Sequence, residues 1–300
     1  MKNDLKIGFI GFGEVARSIS EGLSGQGHKK LFAYHYKGRN VSPTMLQVAD
    51  KLGVVFMESQ EQFANECDVI FNVTRADVAI ESATRMLPYL TENHLYVDLN
   101  SASPIVMQEM GEIFDKKGKS FIDGVLMAPL PLTKHQVPIL VSGKNAGRLV
   151  DVLHPLGMNI EVLKGSPGTA SSIKMIRSLF MKGFAALLIE TYVAAKLSGD
   201  GYENVMESLK ETMNTMSFDR LLERFLTGTQ QHAERRMIEM EEAISYVSQL
   251  GMEPVMTKTT KELLQLISEN KKKIENTVLN NTKDELFLFY KQVFHVEDSP

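Results

Sequence analysis

Two stretches of the sequence hold residues whose types and spacing suit chemistry. The first is Gly11-Phe12-Gly13-Glu14-Val15-Ala16, a G-x-G-x-x-A pattern that directly follows the strand-like run 5–10 and opens a helical pattern. In that setting the first glycine permits a tight turn. The second lets backbone approach a pyrophosphate, and the small Ala16 allows close helix–strand packing. The free N–H groups at the helix start would then meet the anion. The alternative is a plain glycine turn. The second stretch is Gly165-Ser166-Pro167-Gly168-Thr169, with Lys174 one turn into the long helical pattern that follows. A lysine amine removed from water can take or give a hydroxyl proton near neutral pH while hydride moves. The same place also suits a lysine with a solvated head, and position alone does not choose.

The elements around these stretches define the architecture. Strand-like runs fall at 5–10, 31–36, 54–56, 69–73, 95–99, 120–123 and 138–141, with helical patterns between the early ones. Strands alternating with helices predict an α/β fold, an N-terminal Rossmann doubly wound, mainly parallel sheet over residues 1–165. After 165 the sequence turns helical, and residues 166–300 read as an all-helical substrate and dimerisation domain. Its spine, from about Ala170 to Leu197, would be roughly 40 Å long. A helix that long often serves as a spine shared with a second subunit, so a homodimer is expected.

Composition excludes several classes. A net charge of −4 gives no basic footprint for nucleic acid. The lone cysteine, Cys67, forbids an internal disulfide framework and reads as a core thiol. No unbroken apolar run reaches the ~20 residues of a membrane span, and the N-terminus lacks secretory-signal character, so a cytoplasmic protein is expected. No His/Cys/Asp cluster has metal-ligand spacing, and no metal is expected.

The second strand bears on the cofactor. An NAD site usually places an acid about 20 residues past the glycines. Here His35, Lys37 and Arg39 stand there instead, which favours NADP through a 2′-phosphate, with NAD possible. Val73 and Thr74, at the end of the run 69–73, complete the expected cofactor-binding set with Gly11, Phe12, Gly13, Glu14 and Val15.

The chain resembles the β-hydroxyacid dehydrogenase family, which includes 3-hydroxyisobutyrate dehydrogenase and 6-phosphogluconate dehydrogenase, over nearly its whole length. The Gly11–Ala16 turn looks like the family's cofactor loop. Asp98-Leu-Asn-Ser101-Ala-Ser103-Pro104 looks like its Ser-x-Ser-Pro turn, and Gly165-x-x-Gly168 through Lys174 looks like its catalytic helix. The resemblance implies a 6-phosphogluconate dehydrogenase-like helical domain, Lys174 as general acid/base and Ser101 as a substrate contact. The family's asparagine four residues past the lysine is Ser178 here, beside Arg177. Ser178 can bond a substrate hydroxyl, and Arg177 can fork onto a carboxylate. Asp123 is followed by an apolar stretch, Gly124 to Pro129, in place of the family's Ser-Gly-Gly loop. Met181 replaces the glutamate that serves decarboxylation in 6-phosphogluconate dehydrogenase, so plain hydride transfer is expected. The likeness is strongest to an uncharacterised phosphogluconate dehydrogenase-like NAD-binding subgroup with a stretch like His232–Glu242. There His232, Arg235 and Glu239 share a helix face, and this face suits either a substrate anion or an intrahelical salt bridge. The expected function is an NAD(P)-dependent dehydrogenase or reductase acting on a CH–OH group of a small hydroxy acid. The alternatives are an imine reductase-like enzyme and a non-catalytic NADP or metabolite binder.

Overall fold

The computed structural model describes residues 4–35, 41–199, 201–273 and 282–297. Lys37 and Arg39 lie outside these residues. The chain divides into two compact units, Met1–Leu179 and Phe180–Pro300. The expected division at 165/166 precedes the long helix. The compact units divide inside it, so its first turns go with the α/β unit.

Among the described residues the first unit runs β1 (Ile7–Ile10), α1 (Glu14–Gly25), β2 (Leu31–Tyr34), α2 (Pro43–Lys51), β3 (Val54–Phe56), α3 (Gln60–Glu66), β4 (Val69–Asn72), α4 (Ala79–Met86), β5 (Leu95–Asp98), α5 (Pro104–Asp115), β6 (Phe121–Leu126), α6 (Leu130–Thr133), β7 (Ile139–Ser142), α7 (Ala146–Leu153), β8 (Ile160–Val162) and the start of α8 (Thr169–Leu197). The strands form one sheet in the order β3-β2-β1-β4-β5-β6-β7-β8. Every pairing is parallel except β6 with β7. This is the expected doubly wound, mainly parallel sheet.

Side chains alternate across a strand, so one apolar run can feed two cores. Ile7 and Phe9 of β1 join Phe71, Val97, Ile122 and Val141 on one face, under Ile19 and Leu23 of α1 and Leu149 of α7. Ile10 joins Ile70, Tyr96 and Phe121 on the other, under Phe63 of α3, Ala83 of α4 and Phe114 of α5. Cys67 belongs to the second core, and burial pushes its thiol pKa up. It is the core thiol its neighbours suggested.

The second unit contains the rest of α8, then α9 (Tyr202–Thr215), α10 (Phe218–Gln249), α11 (Val255–Lys273) and α12 (Lys283–Val293). Its buried core cluster is small: Ala233, Ile267, Phe289 and Val293. Polar ties do much of the joining. The Glu190 carboxylate accepts from the Met256 and Thr257 amides at 2.6 and 2.8 Å, capping α11 from α8. Helix α10 is kinked at His232 (φ −122°, ψ 23°). The Gln231 carbonyl at the kink accepts from Lys271 Nζ at 2.7 Å. By length and composition alone α8 is long and apolar enough to cross a membrane, although it holds no unbroken apolar run of that length. The isolated charges Lys182 and Glu190 break the run in sequence without making the helix polar on average.

Candidate active site

The Gly11 turn is built as its sequence requires. β1 and β2 end side by side, and the Gly11 amide donates to the Tyr34 carbonyl at 2.9 Å. Gly11 has φ +91°, and a Cβ there would lie 2.8 Å from the Val73 carbonyl oxygen. Only glycine fits both constraints without strain. Gly13 is the N-cap of α1 and carries no side-chain cap, while a Cβ on it would meet nothing within 4 Å. No cap side chain takes the first amides of α1, which is the condition for an anion at a helix start. The residues present fit a dinucleotide's pyrophosphate. Glu14 is exposed, Val15 is half-buried, and the Phe12 side chain packs edge-on against Phe56 at 5.3 Å, leaving its backbone to the turn. Val73 is buried, and Thr74 is half-buried at the C-terminal end of β4. His35 lies half-buried just past β2.

Beside Gly13 opens a cleft of about 220 Å³ lined by Phe12, Arg17, Ser42, Thr44 and Met45. Arg17 Nε donates to the Gly13 carbonyl at 3.1 Å. Sequence reasoning missed Arg17. It lies within the helix that follows the glycine turn, whereas the expected phosphate ligands His35, Lys37 and Arg39 stand at the end of the second strand.

The second half of the site stands at the C-terminal ends of β5 and β6. Lys174 Nζ donates to Ser101 Oγ at 2.7 Å across 73 residues of sequence. Lys174 is half-buried, Ser178 one turn on is also half-buried, and Arg177 is exposed. Ser101 has φ +56°, a left-handed conformation uncommon for a residue with a side chain. The two serines of the turn divide the work. Ser101 meets the lysine, and Ser103 caps α5, accepting from the Val106 amide at 3.3 Å with Pro104 in the first turn.

Two buried carboxylates lie directly beneath. Asp98 ends β5, and both its oxygens are engaged: Oδ1 accepts from the Asn100 amide at 2.9 Å, and Oδ2 from Asn72 Nδ2 at 2.7 Å and Asn100 Nδ2 at 3.0 Å. Its pKa is pushed up to about 6, chiefly by burial, against the pull of the asparagine donors. Asp123 is fully buried on β6. Its Oδ2 accepts from the Gly168 and Ser171 amides at 2.9 and 3.0 Å and from Ser142 Oγ at 3.3 Å, and Oδ1 accepts from Ser171 Oγ at 2.6 Å. Thr74 Oγ1 joins the group by donating to the Asn72 and Asn100 side-chain oxygens at 3.2 and 3.3 Å.

In the second unit, Arg235 is exposed and pairs with Glu239 at 3.7 Å, the intrahelical alternative read from the spacing. His232 and Arg235 line a cavity of about 310 Å³ with Ser268, Lys271 and Lys272. The kink at His232 was not legible in the sequence, because no proline or glycine stands at the break.

A Rossmann-type sheet with a glycine turn shaped for a dinucleotide, followed by a lysine-bearing long helix, defines a dinucleotide-binding oxidoreductase class. Residues 6–102 match the family described as NADP oxidoreductase, coenzyme F420-dependent, and residues 202–267 match a domain of unknown function. A solved conserved protein of unknown function, MTH1747, described as structurally similar to 3-hydroxyacid dehydrogenases, is 30% identical, with 88% of this chain and 97% of that one covered and a TM-score of 0.60. The 2-(hydroxymethyl)glutarate dehydrogenase of Eubacterium barkeri is 21% identical over 75% of each chain. An imine reductase variant from Myxococcus stipitatus, solved with NAD+, shares the fold at 18% identity, covering 95% and 99% of the two chains with a TM-score of 0.74. The chain belongs to the β-hydroxyacid dehydrogenase and 6-phosphogluconate dehydrogenase-like family.

Proposed function

We propose that the protein is an NADP-preferring oxidoreductase that transfers a hydride between the cofactor and a small hydroxy acid or its carbonyl counterpart, with Lys174 as general acid/base. The observation that carries this reading is the 2.7 Å Lys174–Ser101 pair in the same unit as the Gly11 turn. When bound, the nicotinamide supplies the hydride acceptor or donor. Lys174 takes the substrate's hydroxyl proton at Nζ during oxidation and returns it during reduction. Ser101 Oγ holds the same hydroxyl, Ser178 offers a second hydrogen bond on the lysine's helix face, and Arg177 meets a carboxylate. The Gly11–Val15 backbone holds the pyrophosphate, and Val73 and Thr74 border the cofactor. His35, Lys37, Arg39 and Arg17 supply candidates for a 2′-phosphate. His232 and Arg235 are proposed as further ligands of the substrate's anionic group.

The protein is also proposed to act as a cytoplasmic homodimer, without nucleic-acid or membrane partners. Along α8, Leu179 is 77% exposed, Ile189 66% and Ile176 67%, and among the described residues of the second unit the buried core cluster comprises Ala233, Ile267, Phe289 and Val293. So much apolar surface on a helix with so little core behind it calls for a partner, and a second copy is the commonest one.

The test is turnover. Purified protein with NADP or NADPH is offered short hydroxy acids, the matching aldehydes and ketones, and cyclic imines, with nicotinamide absorbance as the readout. Turnover of a hydroxy acid or its carbonyl form, lost in Lys174→Ala, supports the proposal. Turnover of imines alone moves the assignment to an imine reductase. Cofactor binding with no turnover of any class leaves a binding protein.

A further inference from the structure

Lys174 and Ser101 come from parts of the chain 73 residues apart. Lys174 stands on the second turn of α8. Ser101 sits in a left-handed conformation that a residue with a side chain keeps only where neighbours hold it. Something must bring the two within hydrogen-bond distance.

The buried carboxylates beneath them divide that task. Asp98 clamps Asn100 through both its backbone amide and its side-chain amide, and Ser101 is the next residue. Asp123 receives the Gly168 amide just ahead of α8, the Ser171 amide inside its first turn and the Ser171 hydroxyl, three residues short of Lys174. Ser142 extends the hold: its hydroxyl donates to Asp123 and accepts from the Ala170 amide at 3.2 Å. Each of these partners of the two aspartates is a donor, so an acceptor-only carboxylate fits and an amide of the same shape does not. Asp98 and Asp123 are also register partners on neighbouring strands β5 and β6. One rigid step of the sheet thus carries the anchor of the Ser101 turn and the anchor of the Lys174 helix side by side.

We infer that Asp98 and Asp123 are a matched pair of positioning residues, one holding the Ser101 turn and the other the first turn of α8, so that the Lys174–Ser101 contact is set by sheet register. This assignment of roles rests on the reading of Lys174 as the acid/base, but its test needs no substrate. Lysine acylation by a water-soluble anhydride is followed residue by residue by mass spectrometry across a range of pH. Lys182, exposed on the same helix, serves as the internal reference.

Ser101→Ala removes the hydroxyl that Lys174 Nζ meets at 2.7 Å and sets the scale. Asp98→Asn and Asp123→Asn, each checked for fold by circular dichroism, are expected to raise Lys174 acylation at least tenfold over wild type, with Lys182 unchanged. Where either aspartate variant fails to fold, Asn100→Ala and Ser171→Ala remove one arm of each clamp and are expected to raise the rate several-fold. Lys174 acylating at the wild-type rate in the folded variants, while Ser101→Ala accelerates it, would overturn the inference. A protein that turns over no hydroxy acid yet shows the acceleration would sink the dehydrogenase reading and leave the positioning pair standing.

Discussion

The two units of the chain use their apolar residues in opposite ways. In the α/β unit the central strands β1, β4, β5 and β6 feed two cores, and Phe9, Phe71, Tyr96 and Phe114 are completely buried. Among the described residues of the helical unit the buried cluster is Ala233, Ile267, Phe289 and Val293, while Leu188, Ile189, Tyr192 and Leu197 of α8 and Leu222 and Phe225 of α10 stand exposed. The first unit satisfies its own hydrophobic faces, so its sequence can afford a strained turn at Ser101 and buried carboxylates at Asp98 and Asp123. The second holds itself together with polar ties such as Glu190 on the α11 amides and presents its apolar residues outward. The difference separates the two proposals: the proposed chemistry rests on the closely packed contacts of the first unit, and the proposed association rests on the exposed apolar residues of the second.

The largest effect that would break this division is catalytic. Lys174→Ala should cut turnover by roughly 10²–10⁴-fold, the scale of general acid–base catalysis, with cofactor affinity retained. Near wild-type turnover in that variant would remove the chemistry from the α/β unit's end of α8. Next comes core packing. Phe71→Ala should cost about 3–5 kcal/mol in denaturant unfolding, because no exposed conformation relieves the cavity. Ile189→Ala, by contrast, should stay within about 0.5 kcal/mol in dilute monomer, as surface changes do. Equal losses at the two positions would erase the contrast. Association follows. Ile189→Glu should weaken dimerisation at least tenfold by analytical ultracentrifugation while leaving the monomer folded. A wild-type chain that is monomeric at high concentration would contradict the expected dimer.

The smallest effect is on pH dependence. His28 and His135 are buried in the α/β unit, and burial, the leading cause for both, holds their pKa below the usual 6.5. The unfolded chain binds those protons first, so their contribution is whole above about pH 6.5 and is lost as pH falls below it. Asp98 acts in the opposite sense. Its raised pKa means its contribution is whole below about pH 4 and is lost as pH rises through about 6. Unfolding from pH 7.5 to 5.5 should therefore show a smaller acid loss in His135→Gln than in wild type. An unchanged slope would show that His135 is not held neutral.

Much of this was legible in the sequence where signals are local. A strand, a G-x-G-x-x-A turn and a helix within twenty residues announce themselves, and so does a 29-residue helix that holds no proline and a single glycine, Gly183. The Lys174–Ser101 pair was approached only through family resemblance, since no local rule brings positions 73 residues apart together. The Asp123 cap was missed for the same reason: its partners Gly168 and Ser171 lie 45 and 48 residues away. The residue was read for what replaced the loop after it. Strand β8 is three residues long with only Ile160 buried, too short for a period to show. The antiparallel turn of β7 against β6 leaves no mark in composition.

The account stands first on the Gly11 turn, and the most direct test is a titration of wild type and Gly11→Ala with NADPH and NADH. The chain has no tryptophan, so the emission of the reduced nicotinamide can be followed with little protein background. The predicted result is binding of NADPH by wild type, weaker binding of NADH, and a loss of at least tenfold in NADPH affinity in Gly11→Ala, where the new Cβ meets the Val73 carbonyl at a positive φ. A wild-type protein that binds neither nucleotide would contradict the account at its base.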